Sequence, residues 1–244
     1  MHYKNAPITE ALIDIRVELP AEFGFEQLQG IKGLVASEYP REETFTVAMA
    51  TITFDPEVQA STQHKKTGLK LWSVGDKQVF QARLDGFTFS RLEPYETWER
   101  LRDEARRLWG IYRGFAKPTR INRVAVRYIN QLNFPGERVE PQDYLKTFPS
   151  LTPDLPTDLR DFGPFVMSLH LGQRDLNGTL VINEASAQPK RPDTLSIILD
   201  IDLFVEQPEI ADEESLWGLF QKLRDRKNLY FEACITDRTR ELIS

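Results

Sequence analysis

Apolar side chains recur at every second position near the start of the chain: Ala11, Ile13, Ile15, Val17 and Leu19 alternate with Leu12, Asp14, Arg16 and Glu18. A period of two puts one set on each face of a strand, so 11–19 reads as a β-strand with one apolar face, closed by Pro20. Over 25–39 the spacing becomes helical, with Phe25, Leu28, Ile31, Leu34 and Val35 on one stripe, weakened by Gly30 and Gly33 and ended by Pro40. Three strand-like runs follow, 44–54, 69–74 and 78–92, joined by a polar loop around His64 and by a turn at Gly75-Asp76. Gly86 lies where the alternation of the third run changes phase, which predicts a β-bulge. The clearest helix comes next, opened by Pro94 and striped by Trp98, Leu101, Ala105, Leu108, Trp109 and Tyr112.

The same order of elements then recurs. A long strand over 120–134 carries Val124, Val126, Tyr128 and Leu132 on one face and ends at Pro135. A short helical candidate occupies 141–148, and a Pro-rich stretch, 149–164, leads to strands 165–171, 178–183 and 195–205, with Asn177-Gly178 as the turn between the first two. A final helix starts at Glu213 behind Asp212 as N-cap and is striped by Leu216, Leu219, Phe220, Leu223, Tyr230 and Cys234. Each half reads β-α-β-β-β-α. This predicts an α+β fold made by structural duplication, with 1–118 and 119–244 as the two halves of one compact unit. Their strands join in one large, curved antiparallel sheet with two long helices packed on one side.

Composition narrows the function classes. The 244 residues are 41% hydrophobic and 28% charged, as in an ordered globular protein. A formal net charge of -6 argues against a chain whose main task is neutralising nucleic-acid phosphates, so nucleic-acid binding is the least favoured reading. The single cysteine, Cys234, excludes an intramolecular disulfide. No charged segment followed by an apolar one opens the chain, and no apolar run is long enough to span a bilayer, so a cytoplasmic protein without a membrane anchor is expected.

Motifs of familiar catalysts are absent: there is no Gly-rich phosphate loop, no G-x-S-x-G elbow, no H-E-x-x-H helix and no C-x-x-C pair. His2, His64 and His170 are scattered, so neither a metal nor a cofactor is expected. His170, between Leu169 and Leu171, reads as a strand residue. Two polar arrays remain. Asp200 and Asp202 share one strand face, away from Leu199, Ile201 and Leu203, an arrangement that suits a cation, a shared proton or basic neighbours on adjacent strands. Arg123, Arg127 and Gln131 share the side of the central strand opposite Val124, Val126 and Tyr128. With Asp14, Arg16 and Glu18 of the first strand, and with Arg83 and Asp85, they would form a mixed-charge array. Such an array is either a ligand surface or a solvated face laced with cross-strand ion pairs. The basic segment 63–70, with His64, Lys65, Lys66 and Lys70, reads as a solvated loop. The acidic group Glu206, Glu209, Asp212, Glu213 and Glu214 complements the dipole of the last helix.

Three segments carry a resemblance: 5–18 (NAPITEALIDIRVE), 120–135 (RINRVAVRYINQLNFP) and 227–238 (KNLYFEACITDR). Together they resemble a sporadically distributed prokaryotic family of unknown function. That family opens with a Pro-hydrophobic-x-Glu-Ala strand, carries an Arg-Tyr-Ile-Asn strand in its middle and closes with a helix bearing Phe-Glu. The most specific part here is Arg127-Tyr128-Ile129-Asn130. The resemblance implies no activity or cofactor. It marks Pro7, Glu10, Arg127, Asn130 and Glu232 as positions of interest, and the family's patchy distribution is similar to that of accessory genes in defence or toxin-antitoxin loci.

Two function classes follow. The first is a non-catalytic binding protein that holds a protein partner or small ligand, with Arg123, Arg127, Asn130, Gln131, Asp14, Arg16, Asp200 and Asp202 as candidate contacts. The second is an enzyme of unfamiliar type in which Arg127 clamps an anion and Asp14, Asp200 or Asp202 serves as acid, base or metal ligand. The second requires those side chains to converge.

Overall fold

A computed structural model of the protein describes residues 3–54, 58–136, 139–149, 152, 154, 164–189 and 193–244. The strands are β1 (Ile8–Glu18), β2 (Arg41–Phe54), β3 (Val58–Trp72), β4 (Gln78–Arg83), β5 (Gly86–Leu92), β6 (Arg120–Pro135), β7 (Val166–Gln173), β8 (Gly178–Ala187) and β9 (Thr194–Glu206). The helices are α1 (Phe25–Leu28), α2 (Ile31–Val35), α3 (Trp98–Ala116), α4 (Glu213–Cys234) and α5 (Asp237–Ile243). The fold is α+β, with a large antiparallel nine-stranded sheet in the order β2-β3-β4-β5-β1-β6-β9-β8-β7. Its contacts divide the chain into two compact units, one of 13–92 with 96–123 and one of 1–12 with 93–95 and 124–244. Among the described residues no helix is long and apolar enough to cross a membrane.

In the unit of 13–92 and 96–123, cross-strand pairing lines up Leu69 with Ala82, Leu71 with Phe80, Ala82 with Phe87 and Phe80 with Phe89, all buried on one face. The stripe of α3 covers this face: Trp109 and Tyr112 pack on Phe87 at ring-centre distances of 5.8 and 6.1 Å. Such burial of aromatic surface is the main source of cohesion. The helix begins at Trp98 and not at Pro94, because the Thr97 side chain caps it by accepting from the Arg100 N–H. The single helix expected over 25–39 is broken into α1 and α2. A Cβ at Gly30 would stand 2.7 Å from the Phe115 ring, so this glycine lets α3 approach the broken segment.

Two further expectations are corrected here. The polar loop around His64 is part of β3, where exposed His64, Lys65 and Lys66 lie opposite Ala48, Val47 and Thr46. A strand wet on both faces has no alternation to read, and residues 55–57, between β2 and β3 in the chain, lie outside the described residues. Gly86 is not a bulge. The run 78–92 is two strands, β4 and β5, paired from Arg83↔Gly86 outward around Leu84-Asp85, so the phase change marks a chain reversal.

In the unit of 1–12, 93–95 and 124–244, α4 packs on β9, burying Leu216, Phe220, Leu223 and Phe231 with Leu199, Ile201 and Leu203. Asp212 caps α4 as expected, its Oδ1 accepting from the Ser215 N–H at 2.8 Å. The helix expected over 141–148 shrinks to a 3-10 turn, Pro141–Asp143, after which Leu145 bridges to Ile235. The elements therefore run β-α-α-β-β-β-β-α up to α3. The remainder runs β-β-β-β-α-α, with this turn in place of a short helix.

Gly86 has a φ of +154°, and a Cβ there would lie 2.3 Å from the Ile15 carbonyl oxygen. We expect Gly86→Ala to cost about 1–3 kcal/mol in urea unfolding through backbone strain and displacement of β1. Gly33→Ala, in a helix with nothing within 4 Å, should instead stabilise by about 0.5–1 kcal/mol.

Candidate functional site

Asp14 stands on the face of β1 opposite Ile13 and Ile15 and is 5% exposed. Its Oδ1 accepts from Arg83 Nη2 at 3.0 Å and from the Thr88 hydroxyl at 2.6 Å. Its Oδ2 accepts from Arg16 Nε at 3.1 Å and Arg123 Nη1 at 3.3 Å. Arg83 Nε also reaches Asp85 at 3.0 Å, and Arg16 Nη1 donates to the same carboxylate. Burial pushes the Asp14 carboxyl up, but Arg83, Arg16 and the Thr88 hydroxyl together pull it further down, below the ordinary aspartate value. It is a fixed anion and not a proton carrier.

In the other unit, Arg127 on β6 grips Asp200 on β9 with both prongs of its guanidinium, Nε to Oδ1 at 2.8 Å and Nη2 to Oδ2 at 2.6 Å. Asn183, directly across on β8, adds a bond to Asp200 Oδ2 at 3.1 Å. The bond to Asp200 holds the Arg127 guanidinium charged above its usual value, with further support from Asp202 and Glu10. The fork suited to an incoming anion is thus filled by the chain's own carboxylate. Gln131, on the same face, donates to Ser196 Oγ at 3.1 Å and to the Gln188 carbonyl at 3.0 Å, and it lines a cavity of about 410 Å³ whose walls carry no charged residue.

The candidate residues therefore separate. Asp14, Arg16 and Arg123 meet in one network; Arg127, Asp200 and Asp202 meet in another. Asn130 joins neither. It is buried on the opposite face with Val126 and Tyr128, where its amide donates to the Leu199 carbonyl at 2.9 Å, because its parity on β6 is that of the core positions. Of the other positions of interest, the Pro7 carbonyl accepts from the Gln131 N–H, and Glu232 accepts from the Tyr3 hydroxyl at 2.7 Å and Arg240 Nε at 2.9 Å. Among the described residues no group of three or more His, Cys, Asp or Glu could hold a metal ion.

Three features escaped the sequence reading. Glu184 extends the core alternation Leu180, Ile182 on β8, and is fully buried with no hydrogen-bond partner for either oxygen among the described residues. Burial raises its carboxyl to about 8. Lys227 sits at the core spacing of Leu223 and Phe231 and is 6% exposed, its ammonium 3.6 Å from the Tyr128 ring centre. Burial, then Arg224, lowers it to about 7.

The third feature is the strand at the end of the sheet order. On β7, Val166 is 85%, Leu169 36% and Leu171 39% exposed. Among the described residues no strand pairs with its outer edge. The Ser186 N–H donates to the Phe165 carbonyl at 3.0 Å, which fixes the direction of the ladder. Met167, Leu169, Leu171 and Gln173 bond inward to β8, whereas Val166, Ser168, His170 and Gly172 turn their N–H and C=O to the free edge.

Removing Asp14 leaves crowded guanidinium groups without their anion, so Asp14→Asn should cost about 3–5 kcal/mol in denaturant unfolding. Asp14 helps stabilise the fold above its ordinary value of 3.8, a contribution lost as pH falls further, and the variant should lack that acid-side loss.

The buried pair of ionisable groups shapes the rest of the pH profile. The unfolded chain releases the Glu184 proton from 4.5 while the fold retains it to about 8, so stability falls across that window. The unfolded chain keeps the Lys227 proton to 10.5 while the fold releases it at about 7, so stability rises across that window. The two effects leave a minimum near neutral pH. Midpoints of urea unfolding against pH should lose the falling limb in Glu184→Gln and the rising limb in Lys227→Met.

No protein-family model, no curated protein and no solved structure matches this chain, so its function has to be argued from its own geometry.

Proposed function

We propose that this is a non-catalytic binding protein that holds a protein partner by strand addition at the free edge of β7. The observation that carries this reading is β7 itself: an eight-residue strand in which Val166, Ser168, His170 and Gly172 turn N–H and C=O groups outward and Val166, Leu169 and Leu171 are exposed. An extended segment placed against such an edge gains main-chain hydrogen bonds and side-chain contacts together. The state of the polar face points the same way, since Asp14 and Asp200 are both held by arginines and the Nε–Nη2 edge of Arg127 is committed to Asp200.

The resemblance to a patchily distributed prokaryotic family supports reading this protein as an accessory or neutralising member of a defence or toxin-antitoxin-like gene cluster, and its single cysteine suits a reducing cytoplasm. We read the chain further as a duplication. β1 is followed outward by β5, β4 and β3, and β6 is followed outward by β9, β8 and β7, so each series places its latest strand beside its first.

Binding to the native state raises stability by mass action. Products of neighbouring genes should include one that raises the melting temperature of the wild type and leaves Ser168→Pro unmoved, because proline at 168 removes an outward N–H without breaking the bonds to β8. A full set of neighbours with no shift, or an equal shift in the variant, refutes addition of a neighbouring gene product's strand at β7.

A further inference from the structure

We infer that β7 pairs with the β7 of a second copy of this chain, antiparallel and centred on Leu169, to make a two-fold dimer. This rests on the strand-addition reading above and names the partner.

Hydrogen-bond parity selects the register. A two-fold axis perpendicular to the sheet keeps equivalent faces together, so residues opposite one another must share parity. Only Val166, Ser168, His170 and Gly172 turn their main-chain groups outward. Centring on Leu169 sets Ser168 opposite His170 of the other copy and Val166 opposite Gly172, so all of these donors and acceptors are used. Shifting the centre to His170 carries Val166 past the end of the strand, opposite Arg174, and loses its bonds.

The side chains suit the same register. Met167 comes opposite Leu171 and Leu169 opposite itself, a continuous apolar row on the face shared with Leu180 and Ile182. On the other face Ser168 meets His170. The strand VMSLHLGQ contains no Asp, Glu, Lys or Arg, so a second copy meets no like charge and a charged peptide finds no complement. The neighbouring helix adds to the seam: Tyr230 and Arg226 of α4 bond to Gln173 at the end of β7. Leu229, between them in sequence, is 67% exposed.

The test uses the full chain. Light scattering after size exclusion should give twice the monomer mass for the wild type and the monomer mass for Ser168→Pro. Under mild oxidation Leu169→Cys should close a disulfide with itself across the axis, since a non-hydrogen-bonded antiparallel pair holds its Cα atoms about 4.5 Å apart, within disulfide range. Val166→Cys, opposite Gly172, should not, and the native Cys234 is buried. A wild type still monomeric at about 100 µM, where even a micromolar dimer would be populated, overturns the inference. So does a dimer that survives Ser168→Pro, or equal cross-linking at 166 and 169. A monomeric wild type whose stabilisation by a neighbouring gene product is lost in Ser168→Pro would refute self-pairing and leave the binding reading standing.

Discussion

A carboxylate on an inner strand has to shed most of its water while remaining an anion, and that demand organises much of this protein. Desolvating a carboxylate costs several kcal/mol unless its lone pairs are taken up by charged donors. Asp14 meets the demand with Arg83, Thr88, Arg16 and Arg123, drawn from β4, β5, β1 and β6. A one-residue slip of β1 would turn its apolar set Ile13, Ile15 and Val17 outward and break these bonds as well, and a slip of β4, β5 or β6 would break its own bond to Asp14. Apolar burial supplies the driving force, and the ion network penalises the wrong register. Asp200 does the same for β6, β8 and β9 through Arg127 and Asn183.

That division of labour decides what these groups can do chemically. A general acid or base needs a proton it can give up near working pH, and a bound anion needs a donor with spare capacity. Asp14, held low by its arginines, has no such proton, and the Nε–Nη2 edge of Arg127 is committed to Asp200. The groups shifted toward neutrality, Glu184 and Lys227, are instead enclosed among core residues of β8 and α4, where their shifts act on folding. Polarity on the sheet face thus serves to specify structure, and the proposed recognition falls to the main chain at its edge.

What could be read from the sequence follows from this physics. Alternation identified β1, β6 and β9, and helical spacing identified α3 and α4, because each has one dry face and one wet face. The grouping of Arg123 with Asp14 and Arg16 was also legible, since parity alone puts them on the wet side. Distal packing was not. Phe115 of α3 leaves no room for a side chain at Gly30, and the backbone of the neighbouring β1 leaves none at Gly86. Nor was the strand around His64 legible, where exposed lysines carry no periodicity. Asn130 and Glu184 are polar residues at core parity: Asn130 entered the candidate contacts through the Arg-Tyr-Ile-Asn motif and not through its face, and Glu184 falls just past the end of the strand expected over 178–183.

The two ends of the sheet order show opposite treatments of the same problem. At β2 the edge opens with Arg41, Glu42 and Glu43, and these are engaged by Asp76, Lys32 and Lys70, so an approaching strand would have to strip charges that already have partners. Charged edges of this kind keep sheets from joining. At β7 no such guard is found among the described residues: serine, histidine and glycine present the main chain, and leucines present their side chains beside it. An edge strand this long, regular in register with β8 and uncharged, invites association wherever it is exposed, which is the property the proposed pairing uses. Pairing with itself is the occupancy that requires nothing further of the sequence, because every outward group of β7 then finds its complement in another β7.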